Sequence, residues 1–168
     1  MWHNRRRERL DGLCDLLSFA RGARVLDIGC NRGLVGYEFA QHGAAVVHGF
    51  DVSPKAIETA QSLFVDVINC KSKFAVVDLA KENLEYFLEG NSYDIVLMLG
   101  VYHKLTRQMS ESALEKLVGV LADRTANCFG WNGFPAEKPA LDKTMTAHGL
   151  ACVQSSTLSG YVTAIWQR

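Results

Sequence analysis

Residues 25–33 read Val-Leu-Asp-Ile-Gly-Cys-Asn-Arg-Gly, and this stretch decides the fold. An apolar run reaches an acidic residue, Asp27, and a loop bounded by Gly29 and Gly33 then leads into a helical pattern at residues 34–41. In a strand–loop–helix unit, such glycines let the backbone approach a ligand closely, and the helix N-terminus offers unpaired N–H groups. The stretch therefore predicts a nucleotide-type binding loop at the end of a strand.

Two further acidic residues repeat this arrangement. Asp51 ends the apolar run of residues 45–50, and Asp78 follows the apolar run of residues 74–77. Ligands of open α/β sheets bind outside the carboxyl ends of the strands, so we expect the three loops to share one site. The combination indicates a site for an adenosine-containing cofactor.

The composition is that of an ordinary globular domain. The chain has 168 residues, of which 48% are hydrophobic and 21% charged, and this length suffices for one domain with a substantial core. The formal net charge is zero, which gives no strong overall attraction to nucleic acid or membrane. No apolar run approaches the roughly 20 residues of a membrane span, and the N-terminus lacks the apolar stretch of a signal peptide. A cytoplasmic setting is indicated by the cysteine usage.

The cysteines are odd in number and scattered, and no two of them form a C-x-x-C pair. This spacing favours reduced thiols over a disulfide framework or a zinc site, and we expect no bound metal. The five are Cys14, Cys30, Cys70, Cys128 and Cys152.

Hydrophobic periodicity predicts alternating strands and helices along most of the chain. The predicted strands are residues 24–28, 45–50, 74–77, 93–99 and 126–131, and the predicted helices are residues 34–41, 54–64, 81–88, 110–121 and 141–148. A loop is predicted at residues 132–139, and two final strands, residues 150–156 and 161–166, are joined by a turn at residues 158–160. This order predicts an α/β, Rossmann-like doubly wound sheet, mostly parallel with a C-terminal antiparallel hairpin and helices on both faces.

The N-terminal segment has a different pattern. Residues 4–20 predict an amphipathic helix, despite Gly12, because four leucines share one helical face: Leu10, Leu13, Leu16 and Leu17. We therefore expect this helix, within residues 1–21, to pack on a single domain formed by residues 22–168.

The glycine loop distinguishes between two classes of nucleotide site. A dinucleotide-binding fingerprint requires G-x-G-x-x-G, but Asn31 stands where the middle glycine belongs, and Asp27 replaces the usual apolar residue. The segment instead resembles the first motif of class I S-adenosylmethionine-dependent methyltransferases, an acidic residue followed by G-x-x-x-G. The strand-4 segment at residues 94–105 and the terminal hairpin extend this resemblance over roughly residues 22–168.

The resemblance implies a methyltransferase that uses S-adenosylmethionine as its cofactor. Asp51 would bind the ribose hydroxyls, since a carboxylate accepts both in charge-assisted hydrogen bonds. Asp78 would lie near the adenine amino group, and Asp27 near the methionine portion. The cofactor-binding residues implied are Asp27, Gly29, Cys30, Asn31, Gly33, Asp51, Val52, Asp78, Leu79 and Gly100. Because the sulfonium already activates the methyl group, the chemistry requires alignment and not a metal or a covalent nucleophile.

Several residues after strands 4 and 5 are candidates for the acceptor side. The resemblance implies that His103, the predicted catalytic residue, positions the substrate or helps to remove a proton, since imidazole titrates near neutral pH; the alternative is a histidine hydrogen-bonded within its loop. Tyr102 is interpreted either as a packing residue or as a lid over the cofactor. Trp131, Asn132 and Phe134 either contact a planar substrate or close the core.

The acceptor itself is predicted only by class. We expect methyl transfer to an O or N atom of a small molecule or RNA, since the Asn/Asp-Pro-Pro-aromatic and Pro-Cys motifs of DNA and C5 enzymes are absent. A basic cluster, Arg5, Arg6, Arg7 and Arg9, either contacts an acidic partner or is a solvated helix face. Two alternatives remain: a non-catalytic cofactor-binding or partner-docking subunit, and an enzyme of the same fold that cleaves the cofactor.

Overall fold

The computed structural model describes residues 10–168, which form a seven-stranded sheet. The strands are β1 Arg24–Ile28, β2 Val46–Asp51, β3 Lys71–Val76, β4 Tyr93–Leu99, β5 Thr125–Gly133, β6 Ala151–Leu158 and β7 Tyr161–Gln167. Their order in the sheet is β3-β2-β1-β4-β5-β7-β6. Strands β1 to β5 are parallel, and β7 runs antiparallel between β5 and β6. The predicted fold class is confirmed.

The connections between the parallel strands contain short helices. These are α1 Leu34–Gln41, α2 Pro54–Phe64, α3 Leu84–Leu88, α4 Tyr102–Leu105, α5 Glu111–Asp123 and α6 Lys138–Ala147, with two 3-10 helices at Cys14–Phe19 and Pro135–Glu137. Side-chain caps set several of the helix starts. The Ser53 hydroxyl accepts a hydrogen bond from the N–H of Ala56 at 3.3 Å, with Pro54 in the first helical position.

Hydrophobic side chains pack against both faces of the sheet. On one face Leu88, Leu117 and Met145, from α3, α5 and α6, share a core with Phe129. On the other face α1, α2 and the 3-10 helix Cys14–Phe19 contribute to a second core, which contains Leu16, Phe39, Ile57 and Leu97. Within residues 10–168, no helix combines the length and apolarity that a membrane crossing requires.

The N-terminal segment differs from its prediction. Residues 4–9 lie outside the described residues, and in the described part the continuous α-helix is wrong: residues 11–13 form a turn, followed by the 3-10 helix Cys14–Phe19. The physical reason is Gly12, whose φ of +77° is incompatible with a right-handed helix. Leu13 and Leu16 are nevertheless fully buried.

Other helix and strand boundaries differ from their predictions for local reasons. Helix α3 begins at Leu84 and not at residue 81, because Asn83 caps it by accepting a hydrogen bond from the N–H of Glu85 at 3.1 Å. Strand β3 begins three residues before its predicted start. The first side chains of this edge strand are polar, so they lack the apolar pattern that predicts a strand. The loop predicted at residues 132–139 is replaced by the end of β5, a 3-10 turn and the start of α6, and α4 was not predicted.

The C-terminal hairpin matches its prediction closely. Ser159 and Gly160 have φ values of +51° and +82°, which is the conformation of a two-residue type I′ turn. Leu158 pairs with Tyr161 across this turn. Because β7 is antiparallel to β5, its first residue lies at the edge of the sheet where the parallel strands end.

Candidate active site

A cavity of about 700 Å³ lies along the carboxyl edge of the sheet. Its wall runs from residues that follow β3 to residues that begin β7. These two strands are five strand spacings apart in the sheet, or about 24 Å. Seven of the ten residues predicted to bind the cofactor line it: Gly29, Asn31, Asp51, Val52, Asp78, Leu79 and Gly100. The cavity therefore lies at the edge of the sheet where the loops that follow the strands were expected to share one site.

The loop after β1 is held against its neighbours by backbone contacts. The N–H groups of Gly29 and Cys30 both donate to the carbonyl oxygen of Phe50, at 2.8 and 3.0 Å. Gly29 has a φ of +72°, and a Cβ at this position would collide with the side chain of Val101. Only glycine fits both the backbone conformation and the space.

Asp51 is oriented by two backbone N–H groups. Its Oδ2 accepts a hydrogen bond from Asn31 at 2.8 Å, and its Oδ1 accepts one from Ser53 at 2.9 Å. Each carboxylate oxygen can accept more than one hydrogen bond, so both retain capacity towards the cavity. Asp51 also ties the glycine loop to β2, a role that sequence reasoning missed. Asn31, whose N–H donates to Asp51, has a positive φ of +51°.

Asp78 lies at the end of the cavity next to β3. Its Oδ1 accepts a hydrogen bond from the N–H of Ala80 at 3.1 Å, and its Oδ2 lies 2.8 Å from Nζ of Lys81. The hydrogen bond from Lys81 holds the pKa of the Asp78 carboxyl below its ordinary value. Asp78 is therefore an ionised acceptor at neutral pH.

Three predicted cofactor residues lie outside the cavity wall. Asp27 is 3% exposed within β1. The buried Cys30 lies beside Gly49, where an added Cβ would be 2.9 Å from Sγ of Cys30. Gly33 caps α1 and packs on α2, since an added Cβ would be 2.9 Å from Cβ of Ala60. Cofactor contact by these three residues stays a prediction.

His103 does not line the cavity either. Its ring meets Phe134 edge-on, with centroids 5.2 Å apart, and Phe134 stacks at 5.2 Å on Tyr161, which does line the cavity. The Nδ1 atom of His103 is buried and forms no hydrogen bond with the described residues. The alternative interpretation, a histidine hydrogen-bonded within its loop, therefore lacks a partner for Nδ1 among residues 10–168.

Two consecutive residues of β5 differ in whether they pack in the core or face the cavity. Trp131 is fully buried among hydrophobic side chains, so the core interpretation holds for it. The next residue, Asn132, faces the opposite side of the sheet and lines the cavity. Tyr102 also packs in the core, and burial raises the pKa of its hydroxyl.

Several cavity residues were missed by sequence reasoning. Tyr161 directly follows the predicted hairpin turn, and that position was the available signal. Lys104 is the one cation in the cavity wall among residues 10–168, and it makes no ion pair with any of them. Asp11 reaches the wall only because the chain turns at Gly12, which no local pattern predicted.

Residues 25–124 match the family described as "Methyltransferase domain", and this match covers more than half of the chain. The chain belongs to the class I S-adenosylmethionine-dependent methyltransferase family. The matched residues contain the glycine loop, Asp51, Asp78 and the strand-4 segment. In the described part of this methyltransferase chain, no three His, Cys, Asp or Glu side chains are grouped to hold a metal ion, and none of its five cysteines forms a disulfide bond.

Individual relatives and a solved structure agree with this family. The magnesium-protoporphyrin O-methyltransferase of Rhodobacter capsulatus is 28% identical over 141 residues, covering 79% of this chain and 61% of the relative. A ubiquinone biosynthesis O-methyltransferase of Neisseria meningitidis serogroup C (strain 053442) is 44% identical over 52 residues, covering 31% of this chain and 20% of the relative. The chain thus spans less than two thirds of the length of either protein.

One similar solved structure is that of magnesium protoporphyrin IX methyltransferase from Synechocystis PCC 6803 with S-adenosylmethionine bound. Its TM-score is 0.72 at 21% sequence identity, and the match covers 96% of this chain and 77% of that one. At this identity the likeness establishes a shared fold.

Proposed function

We propose that this methyltransferase binds S-adenosylmethionine along the β1–β4 part of the cavity and transfers the methyl group to an oxygen atom of a small molecule. In this proposal Asp51 accepts hydrogen bonds from the ribose hydroxyls, and Asp78 accepts one from the adenine amino group. Gly29 and Gly100 leave room for the methionine portion. The observation that carries the proposal is the fixed orientation of the Asp51 carboxylate at the cavity wall.

The geometry around Asp51 fits a vicinal diol. The N–H groups of Asn31 and Ser53 hold one oxygen each, at 2.8 and 2.9 Å, so the carboxylate cannot rotate freely. Its remaining acceptor sites are thereby aligned before a ligand arrives, and pre-organisation of this kind reduces the entropic cost of binding. A ribose offers two adjacent hydroxyl donors that match two carboxylate oxygens.

The residues of this chain contribute alignment more than proton chemistry. When bound, S-adenosylmethionine supplies a methyl group on a positively charged sulfur, which needs only an in-line nucleophile. The Gly29–Val101 contact and the Asn132 side chain form the wall next to the end of β4, and they would exclude water from the path of transfer. No described residue needs to form a covalent bond in this scheme.

His103 has a proposed role on the acceptor side. Because it contacts the cavity-lining Tyr161 through Phe134, we assign it as a positioning residue in the structure as it stands. A catalytic role as general base requires the imidazole to reach the acceptor directly. The steady-state kinetics of His103→Asn separate the two, since loss of a general base lowers kcat, whereas loss of a positioning residue raises the KM of the acceptor.

A small-molecule acceptor is favoured by the charge of the cavity. Among the described residues its wall carries three carboxylates, Asp11, Asp51 and Asp78, and one ammonium, Lys104. An RNA backbone is held by several lysine and arginine contacts to phosphate, which this wall does not offer. The basic cluster predicted to contact RNA, Arg5, Arg6, Arg7 and Arg9, lies outside the described residues. Two relatives carry the name O-methyltransferase, which supports oxygen as the acceptor atom.

Calorimetry with S-adenosylhomocysteine tests the cofactor site. The wild-type chain is expected to bind, and Asp51→Ala is expected to bind at least about tenfold more weakly, the effect of losing one or two charge-assisted hydrogen bonds. Asp66→Ala is the matched control, because Asp66 is exposed, lies between α2 and β3, and does not line the cavity. Absence of binding to the folded wild-type chain would contradict the proposal.

Transfer of a labelled methyl group tests the acceptor class separately. The wild-type chain is incubated with labelled S-adenosylmethionine and either metabolite or RNA fractions. We expect label in the metabolite fraction only. Label in RNA would replace the small-molecule assignment, binding without transfer would favour the non-catalytic subunit, and cofactor breakdown without acceptor would favour a cofactor-cleaving enzyme.

A further inference from the structure

Three aromatic rings form a continuous stack beside the β5–β7 end of the cavity. The rings of Phe134 and Tyr161 are nearly parallel, at 28°, with centroids 5.2 Å apart, and His103 meets Phe134 edge-on at 75°. Tyr161 alone among them lines the cavity. Because Phe134 covers one face of Tyr161, the remaining surface of the tyrosine ring is the part that borders the cavity.

Two of these three rings, Phe134 and Tyr161, are open to solvent although both are large and mostly apolar. Tyr161 is 48% exposed and Phe134 is 40% exposed, and Leu158, which pairs with Tyr161 across the hairpin turn, is 56% exposed. Contiguous exposed apolar side chains at a cavity mouth are typical of a ligand-binding surface. Tyr161 directly follows the hairpin turn, and its neighbour Val162 is buried, so the ring lies on the side of β7 that the core does not cover.

Hydrogen bonds hold the backbone beneath these rings on both sides. Tyr161 follows a two-residue turn, and Val162 pairs with both Gly133 and Thr157, so the position of the ring is fixed by two strand ladders. Phe134 is fixed independently, because its N–H donates to Oε2 of Glu137 at 3.0 Å. A backbone held in this way lowers the entropic cost of ordering the site when a ligand binds.

A polar group lies next to this platform. Asn132 pairs with Thr163 on adjacent strands, and both residues line the cavity beside Tyr161. The Thr163 hydroxyl already bonds Ser156 at 2.7 Å, whereas the Asn132 side-chain amide makes no hydrogen bond with any described residue. An amide left available in a cavity wall can donate to or accept from a ligand hydroxyl.

We propose that the methyl acceptor is a planar aromatic compound bearing a hydroxyl group, which stacks on Tyr161 with its hydroxyl directed to Asn132. This inference rests on the proposed function, and it adds the substrate class. The acceptor oxygen gains the methyl group as the methyl–sulfur bond breaks, and the hydroxyl proton is released to solvent. Offset stacking on an aromatic face selects flat unsaturated rings over saturated rings of the same size. The Tyr161 platform and the adenine end of the cavity, at Asp78, lie about 24 Å apart along the sheet edge, so both ligands fit side by side.

The test uses 2-naphthol and its saturated counterpart, decahydro-2-naphthol, as probes. Saturation-transfer NMR titrations are run on the chain loaded with S-adenosylhomocysteine, whose binding is measured by calorimetry on the same samples. We expect 2-naphthol to bind about two- to tenfold more tightly than the saturated alcohol. Tyr161→Leu, which keeps apolar volume but removes the ring, is expected to abolish this preference, and Tyr161→Phe is expected to preserve it.

Tyr86→Ala is the control variant, because Tyr86 is an exposed aromatic residue on α3 that does not line the cavity. Its preference for 2-naphthol is expected to equal that of the wild type. Absence of 2-naphthol binding, equal binding of both alcohols, or an unchanged preference in Tyr161→Leu would overturn the inference while S-adenosylhomocysteine binding keeps the proposed function intact. Failure to bind S-adenosylhomocysteine would overturn both.

Discussion

Gly29→Ala perturbs the glycine loop at a position where two separate physical costs apply. The first is conformational, since a non-glycine residue at a φ of +72° costs roughly 1–2 kcal/mol. The second is steric, because the added Cβ collides with the side chain of Val101, and overpacking of this kind costs about 1–3 kcal/mol. We expect Gly29→Ala to lower the free energy of unfolding by about 2–5 kcal/mol in total.

Gly22 provides a matched control for the conformational cost. Its φ is +76°, its N–H donates to a backbone carbonyl at 2.8 Å as that of Gly29 does, and no atom lies within 4 Å of an added Cβ. Gly22→Ala is therefore expected to lose only about 1–2 kcal/mol. The difference between the two variants isolates the collision with Val101.

Urea unfolding measures these differences through the midpoint, provided that the slope with denaturant stays unchanged. Val101→Ala in the Gly29→Ala background is expected to recover about 1–3 kcal/mol relative to the sum of the single variants, because the colliding methyl group is gone. S-adenosylhomocysteine affinity should fall in Gly29→Ala and stay unchanged in Gly22→Ala. Equal destabilisation by Gly22→Ala and Gly29→Ala, or no recovery with Val101→Ala, would refute the reasoning.

Three further predictions concern pH and capping. Burial raises the pKa of Tyr93 to about 12, so the native state keeps a proton that the unfolded chain releases near pH 10, and stability should fall as the pH rises from 10 towards 12. Tyr93→Phe should remove that part of the decline in urea midpoints, and an unchanged decline would contradict this assignment. Lys81→Met should raise the pKa of the Asp78 carboxyl towards its ordinary value, measured by carbon NMR titration. In the wild type this ion pair is present above the ordinary carboxyl pKa and is lost as the pH falls through the lower folded value. Ser110→Ala removes the cap of α5 and should cost about 1 kcal/mol in urea unfolding without changing cofactor affinity. A change in affinity would show that α5 is coupled to the site.

The parts of the fold that sequence predicted are those with strong local signals. Gly29 and Asp51 stand at strand ends, where backbone conformation and ligand chemistry restrict the residue type, and both line the cavity as expected. The Ser159–Gly160 turn was predictable because its two positive φ angles require residues that tolerate them. Such positions carry structural information in a single residue.

The parts that sequence did not predict depend on contacts distant along the chain. Gly12 interrupts a leucine pattern that otherwise favours a helix, and it lies against Thr163 of β7, 151 positions later. Gly33 reads as a ligand-facing glycine, but its missing side chain accommodates Ala60 of α2. Trp131 and Asn132 are adjacent in sequence, and only the register of β5 decides which of the two faces the cavity.

The exposed ring stack shows the same limit at the acceptor end. Phe134 was a candidate for substrate stacking, yet its partner, Tyr161, comes from a different strand and became visible only in the folded chain. A pair of this kind has no signature in the local sequence, because neither residue is unusual in its own segment.

A crystal structure of the chain with S-adenosylhomocysteine tests the central claim most directly. The account predicts the ribose hydroxyls within hydrogen-bond distance of the Asp51 carboxylate, the adenine amino group at Asp78, and the thioether sulfur facing the part of the cavity bounded by Asn132 and Tyr161. A ligand bound elsewhere, or a ribose without contact to Asp51, would contradict it.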